Sequence, residues 1–336
     1  MSPPKPQRPA CGVSARAIPA REGIGKQKPP WTRARGLGKA LGMTQILCIG
    51  SVLWDIVGRT PRQMRAGADV AGRIRRIPGG VALNVAMALR RFGLTPGLLS
   101  VIGTDPEGDE LVAAARARGL DLSYICRETG LPTDRYMAIE GANGLMAAIA
   151  DAHSLEEAGD RILSPLEDGR LGSAARPFAG TIVLDGNLTS EVLDGIAGSP
   201  CFTAADIRLA PASPGKAERL RGLLNHPNIT LYVNKEEAGI LTHTDPKTAR
   251  DAAMSLSVAG VRRICVTDGA QPACFAADRD VITQTPPAVP VARVTGAGDM
   301  FMAAHIAAEQ AGLPPEQALD RALLGAADYI SNEAPL

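Results

Sequence analysis

Near the C-terminal end the chain reads RVTGAGDMF, Arg293 to Phe301, and an alanine-rich apolar stretch, Ala303 to Ala311, follows directly. Two glycines bracket Ala297, and a carboxylate, Asp299, comes right after the second. The permissive backbone reads as a tight turn feeding a helix N-terminus. Successive N–H groups of Gly296, Ala297 and Gly298 at such a start can cradle an oxyanion. Phosphoryl transfer needs that cradle for charge spread over the transferred oxygens. It also needs a base beside the attacking hydroxyl, and Asp299 stands where it could take that proton. The plainer alternative makes Asp299 a helix-capping acid and the glycines turn residues, because short glycine motifs recur without function.

A turn of this kind needs a frame. TQILCIGS, GLLSVIG, TIVLDG, LYVN and RRICVTDG read as short buried strands. VALNVAMALRRFG, PEGDELVAAARARGL, KAERLRGLLN and TARDAAMSLSVAG read as helices between them. Strand–helix alternation predicts an α/β fold with a central, mostly parallel sheet flanked by helices. Two stretches break the rhythm. YMAIEGANGLMAAIA reads as a hairpin turning at Gly141 to Gly144. DIVGRTPRQMRAGADVAGRIRRIP reads as polar and irregular, and with the hairpin it would form a small flap.

In an open α/β sheet, ligands bind beyond the carboxyl ends of the strands. Glycine-rich or polar turns fall at those ends: Gly50 to Asp55, Gly79 and Gly80 with Asn84, Gly103 with Asp105, Asn234 to Glu237, Thr267 with Gly269, and the TGAGD turn.

Composition narrows the class. Hydrophobic residues are 45% of 336, enough for a large core, while aromatics are only 3%, so aliphatic side chains must build it. The net charge of +1 makes no general case for nucleic acid. Residues 1–42 carry nine basic residues and one acid, leaving 27 basic and 34 acidic residues in 43–336. That leader is proline-rich, lacks an apolar period and reads as a disordered basic extension, either a transit-like leader or an upstream start artefact before Met43. Six scattered cysteines, none at CxxC spacing, fit reduced thiols and a cytoplasmic protein. No apolar run approaches the ~18 residues of a membrane helix. His153, His226, His243 and His305 show no ligand spacing, and His305 reads as packing.

The motifs together resemble a family, the ribokinase-like (PfkB) carbohydrate kinases. GGVALNVAMALRRFG resembles its first signature and TGAGDMF its second. GSVLWD, VIGTDPEGDEL and NKEEAGILT resemble its first strand end, following helix start and NxxE segment. The resemblance implies a ribokinase-like domain over 43–336 with a small β lid from about 56–78 and 133–150. It implies Asp299 as catalytic base and Gly296, Ala297 and Gly298 as anion hole. Asp55, Gly79, Gly80 and Asn84 would hold substrate hydroxyls. Asn234, Thr267 and Gly269 would bind ATP, and Glu237 would organise Mg²⁺ through water. Arg293 stands where the family usually has an aspartate near a monovalent-cation site, which puts potassium activation in doubt.

The acceptor is narrowed by departures. Val81 replaces the lysine often seen after the double glycine in ribokinases proper, and Leu53 replaces a polar residue; both weaken a free-ribose reading. PTDRYMAIEGANGLMAAIADAHSLE, LDGNLTSEVL and LAPASPGKAERL resemble pseudouridine kinases, although an expected aspartate is replaced near Ala210 and Pro211. The expectation is therefore an ATP-dependent kinase of a ribosyl primary hydroxyl, pseudouridine favoured. The alternatives are a ribose, fructose or 2-keto-3-deoxygluconate kinase, or a silent nucleotide or sugar sensor. Trp54, adjacent to Asp55 and so on the opposite strand face, should pack behind the site, with base stacking the alternative. Arg135 is expected as a solvated strand charge. The implied partners are a small sugar or nucleoside, no nucleic acid and no membrane, with a homodimer through the lid possible in geometry.

Overall fold

The computed structural model describes residues 46–278 and 280–332. The basic segment 1–42, Met43 and Cys11 lie outside the described residues. The first half runs β1 (Ile46–Ile49), β2 (Leu53–Arg59), β3 (Arg73–Gly79), α1 (Val81–Arg91), β4 (Gly97–Leu99), β5 (Val101–Gly103), α2 (Pro106–Ala117), β6 (Cys126–Glu128), β7 (Arg135–Gly141) and β8 (Gly144–Asp151). Two short helices follow, α3 (His153–Ala158) and α4 (Ser164–Glu167). The second half runs β9 (Thr181–Asp185), α5 (Ser190–Gly198), β10 (Asp206–Ala210), β11 (Ile229–Asn234), α6 (Lys235–Thr242), α7 (Ala249–Val258), β12 (Arg263–Asp268), β13 (Gln271–Ala277), β14 (Asp280–Gln284), α8 (Ala297–Gln310) and α9 (Pro315–Ser331).

Eight strands form the main sheet in the order β14-β13-β12-β11-β10-β9-β1-β4. Pairing is parallel from β4 through β12, and β13 and β14 are antiparallel. Both faces are covered, so the strands read as continuous apolar runs rather than alternating ones. In β1, Leu47 and Ile49 pack toward α3 to α7, and Ile46 and Cys48 pack toward α1, α8 and α9. The order reverses at β1, which pairs with β4 on one side and β9 on the other. Such a switch point opens a crevice at the carboxyl edge.

Four elements differ from the sequence expectation. GLLSVIG is two strands: β4 pairs with β1, β5 pairs with β6, and buried Ser100 makes the break by donating its hydroxyl to the Gly50 carbonyl. KAERLRGLLN lies mostly in a 3₁₀ helix, Pro214–Leu223, rather than an α-helix. The stretch expected to be irregular contains β2 and β3, paired antiparallel from Leu53↔Gly79 to Arg59↔Arg73. Finally, β10 (DIRLA) is a strand outside the sequence expectation; it runs into the start of the LAPASPGKAERL stretch at Leu209 and Ala210.

The hairpin β7–β8 turns at Gly141 to Gly144 as expected and joins β2 and β3 in a four-stranded sheet, order β3-β2-β7-β8. Its two faces differ. Ile56, Ile74, Met137, Ile139, Ala147 and Ile149 share the outer face by register. Asp55, Val57, Arg75 and Tyr136 share the inner one. No helix among the described residues is long and apolar enough to cross a membrane.

Candidate active site

The site is built at the carboxyl edge around the N-termini of α1 and α8. Helix α8 starts at a left-handed Gly296, φ 86°, and no side chain caps it. A Cβ on Gly296 would run into the Tyr329 hydroxyl, which itself donates to the Thr295 carbonyl at 3.2 Å. The turn therefore needs glycine for conformation and for space. The Ala297 N–H is already committed to the Val294 carbonyl at 3.1 Å. Of the three residues expected in the anion hole, Ala297 thus lacks a free donor in this conformation. Gly298 lies in the first turn, where amides have no intrahelical acceptor, and the space beside its Cα is open.

Asp299 sits in the first turn at this opening, largely enclosed but with a partly accessible face. Asn84, on α1, donates its Nδ2–H to Asp299 Oδ2 at 2.9 Å, across 215 residues of sequence. Burial pushes the Asp299 carboxyl up to about 7; the Asn84 hydrogen bond opposes this, and Asp185 and Glu237 add to it by repulsion. Asp55, on the inner face of β2, is likewise pushed up to about 7, first by burial and then by Asp299. The double glycine explains itself here. A side chain on Gly79 would overlap the Asp55 carboxylate, and one on Gly80 would overlap the Ser51 backbone. Gly80 also holds φ 94°, which L side chains rarely adopt. These glycines let β3, β1 and α1 close tightly on two acids.

Asn234 and Glu237 form a capping box at the start of α6. Glu237 N–H donates to Asn234 Oδ1 and Asn234 N–H to Glu237 Oε2, both at 2.8 Å. Glu237 is nonetheless buried, its carboxyl pushed upward chiefly by that burial, and among the described residues no basic group forms an ion pair with it. Thr267 lies beside Asn234 in register, on β12. Gly269, φ 57°, occupies the tight turn between β12 and β13 and has open space around it. Gly103 and Asp105 do not join the cluster: Asp105 caps α2 through Gly108 N–H and accepts from Thr133.

The structure adds residues that the sequence reading passed over. Asp185 ends the apolar strand β9 and is fully buried beside Ser51, Asn187 and Lys216. An acid closing an apolar strand at the carboxyl edge was a legible signal. Tyr136, next to Asp55 in register, sets a half-buried phenol ring on the inner face of the small sheet. Trp54, by contrast, is on the outer-face side, covered by α2: its Nε1–H donates to the Glu107 carbonyl and Arg76 lies 4.3 Å over its ring. It has no free face for a base. Arg135 is half-exposed and 3.9 Å from Glu107. His305 is a core residue, hydrogen-bonded to Tyr232 at 2.8 Å, with its pKa lowered to about 4, chiefly by burial. Among the described residues, no group of three or more His, Cys, Asp or Glu could hold a metal, and the five cysteines are unpaired.

Two carboxylates facing an uncapped helix start, one of them gripped by an amide, can hold a hydroxyl and remove its proton beside an anion site. Known proteins agree with that chemistry. The chain is 30% identical over 280 residues to an uncharacterized sugar kinase of Escherichia coli K12, YeiI, covering 81% of this chain and 74% of that protein. It is 26% identical over 281 residues to the pseudouridine kinase of the same organism, covering 80% and 85%. In structure it is similar to a carbohydrate kinase from Agrobacterium tumefaciens, TM-score 0.69 and 27% identity, covering 87% and 92%. The pfkB carbohydrate kinase profile matches residues 43–333, and with the ribokinase-like α/β architecture and the acid-lined turn this places the chain in the pfkB family of carbohydrate kinases.

Proposed function

We propose that the protein transfers the γ-phosphoryl group of ATP to a primary hydroxyl of a ribosyl compound, with pseudouridine as the favoured acceptor. The observation that carries the kinase chemistry is the Asn84–Asp299 hydrogen bond at the mouth of the α8 turn, with Asp55 facing the same carboxylate. Asp55 and Asn84 orient the acceptor hydroxyls, and Gly79 and Gly80 let the ribosyl group approach the backbone. Asp299 accepts the proton of the attacking hydroxyl, and the free amides at the start of α8 receive charge from the transferred group. Asn234, Thr267 and Gly269 line the nucleotide side of the edge. The small β sheet, contributed by about 56–78 and 133–150, is the lid.

Glu237 is a buried acid without a basic partner among the described residues, close enough to raise the pKa of Asp299. That surplus of negative charge fits Mg²⁺ held through water. The ion, when bound, neutralises phosphate charge. A monovalent cation does not fit the turn before the anion site: Arg293 puts a guanidinium there, 3.7 Å over the Tyr329 ring, with its Nε–H donating to the Tyr329 carbonyl at 3.0 Å. No step is assigned to such an ion.

A nucleoside acceptor is supported by Tyr136, a flat ring beside Asp55 on which a base can stack, and by the likeness to a pseudouridine kinase. The test is ADP release by the full chain with Mg²⁺ and ATP against pseudouridine, uridine, ribose, fructose and 2-keto-3-deoxygluconate. Release with pseudouridine is expected. Release only with a free sugar would keep the kinase and discard the nucleoside. ATP binding without transfer to any acceptor would favour a sensor.

The outer face of the lid supports a homodimer. Ile74 is 79% exposed and Ile149 70%, with the exposed Met137 and Ile139 between them on the same face. Patches of this kind mark interaction sites, and a two-fold pairing buries the same face on both copies. The protein should sediment as a dimer, and the pair Ile74→Arg and Ile149→Arg as a monomer; a monomeric wild type would overturn this.

A further inference from the structure

We propose that Asp185 is the positioning residue of the acceptor half of the site, clamping the N-terminus of α1 across the switch point of the sheet so that Asn84 meets Asp299. The proposal rests on the kinase reading only for its kinetic consequence. Its geometry is independent.

Asp185 ends β9, and Ser51 follows β1, the two strands between which the sheet reverses its order. Asp185 Oδ2 accepts from the Ser51 N–H at 2.9 Å, the Ser51 hydroxyl at 3.0 Å and the Ala82 N–H at 3.1 Å. Its Oδ1 accepts from the Asn187 N–H at 2.8 Å. Four donors converge on one fully buried carboxylate, which is the arrangement that keeps a buried acid in place.

Helix α1 needs that acid. Its N-cap is Gly80, it has no side-chain cap, and its first turn contains no acidic residue. The orphan amides of a helix start must find acceptors, and they favour a negative charge. Asp185 supplies both from a strand 103 residues away in sequence. The Ser51 hydroxyl extends the clamp by accepting from the Val81 N–H at 2.8 Å. Two residues beyond Ala82, Asn84 holds Asp299. A shift of the α1 start therefore moves the amide that grips the base.

Two further features fit this role. Gly50, φ 145°, has no room for a side chain, because a Cβ there would overlap the Asp185 carboxylate. The charge is also balanced at a distance: Asn187 Nδ2 donates to the Ser51 hydroxyl at 2.9 Å, and Lys216 donates to Asn187 Oδ1. The 3₁₀ helix after β10 is thereby tied, through Asn187, to the same carboxylate.

The test is Asp185→Asn, which keeps the shape but presents an amide to donors. Two readouts are taken. Amide hydrogen exchange over residues 81–84 should speed up about tenfold or more, a measurement that needs no acceptor. The KM for the acceptor should rise about tenfold or more, with the KM for ATP within about twofold. Unchanged exchange over 81–84 would overturn the proposal, whatever the activity. Equal rises in both KM values would also overturn it, because a general loosening of the fold would do that. If Asp185→Asn does not fold, Ser51→Ala takes its place: faster exchange at Val81 is expected, and unchanged exchange overturns the clamp. Faster exchange in a chain that phosphorylates no acceptor would sink the kinase reading and leave the clamp standing.

Discussion

Asp299→Asn should lower kcat by about 10²- to 10⁴-fold, the range of a general base, while leaving ATP binding intact and the fold as stable as before or more so. The two halves of this expectation share one cause. Asp299 is largely desolvated, faces Asp55, and feels Asp185 and Glu237. Only the Asn84 hydrogen bond offsets that. An asparagine keeps an oxygen for Asn84 and removes a charge that the site holds at a cost. A purely structural aspartate would behave in the opposite way, losing stability on substitution and leaving the chemistry untouched. Steady-state kinetics beside a thermal melt separates the two; unchanged turnover would remove Asp299 from the mechanism.

Below pH about 7, kcat/KM should fall by about tenfold per pH unit, while the free protein becomes more stable. The groups facing Asp299 are Asp55 from β2, Asn84 from α1, Asp185 from β9, Glu237 from α6 and Tyr329 from α9. None of them is cationic. Burial and mutual repulsion raise both Asp55 and Asp299 to about 7, so the pair takes up protons in the range where a solvated aspartate, near 4, is still ionised. A protonated Asp299 cannot accept the hydroxyl proton, so activity is lost as pH falls. For stability the sign is reversed. Between about 4 and about 7 the folded chain binds protons that the unfolded chain does not, so the free energy of unfolding decreases as pH rises through that window. Melting temperature and kcat/KM measured from pH 5 to 8.5 should therefore run in opposite directions. A flat activity profile down to pH 5 would contradict the raised pair.

What was legible in the sequence was the local part. TGAGD shows its turn because Gly296 needs a left-handed backbone and Asp299 follows within the same helical turn. The double glycine and Asn84 show because they fall four to five residues apart across the start of α1. The capping box of Asn234 and Glu237 was visible as an acidic helix start. What was hidden was long-range. Asp185 meets Ser51 across 134 residues and Ala82 across 103, and no periodicity announces that. The small sheet was hidden for a different reason. Its apolar residues, Ile74 and Ile149 among them, point away from the main core, so RIRRIP reads as a charged loop although it is a strand. The break at Ser100 was hidden because both halves of GLLSVIG are equally buried and differ only in which strand they pair with.

The most direct test of the account is ³¹P NMR of ATP, Mg²⁺ and pseudouridine incubated with the wild-type chain and, in parallel, with Asp299→Asn. The account predicts a new phosphomonoester resonance and ADP with the wild type, and neither on the same timescale with the variant. A phosphomonoester formed at equal rates by both would contradict the assignment of Asp299 as the base that activates the acceptor.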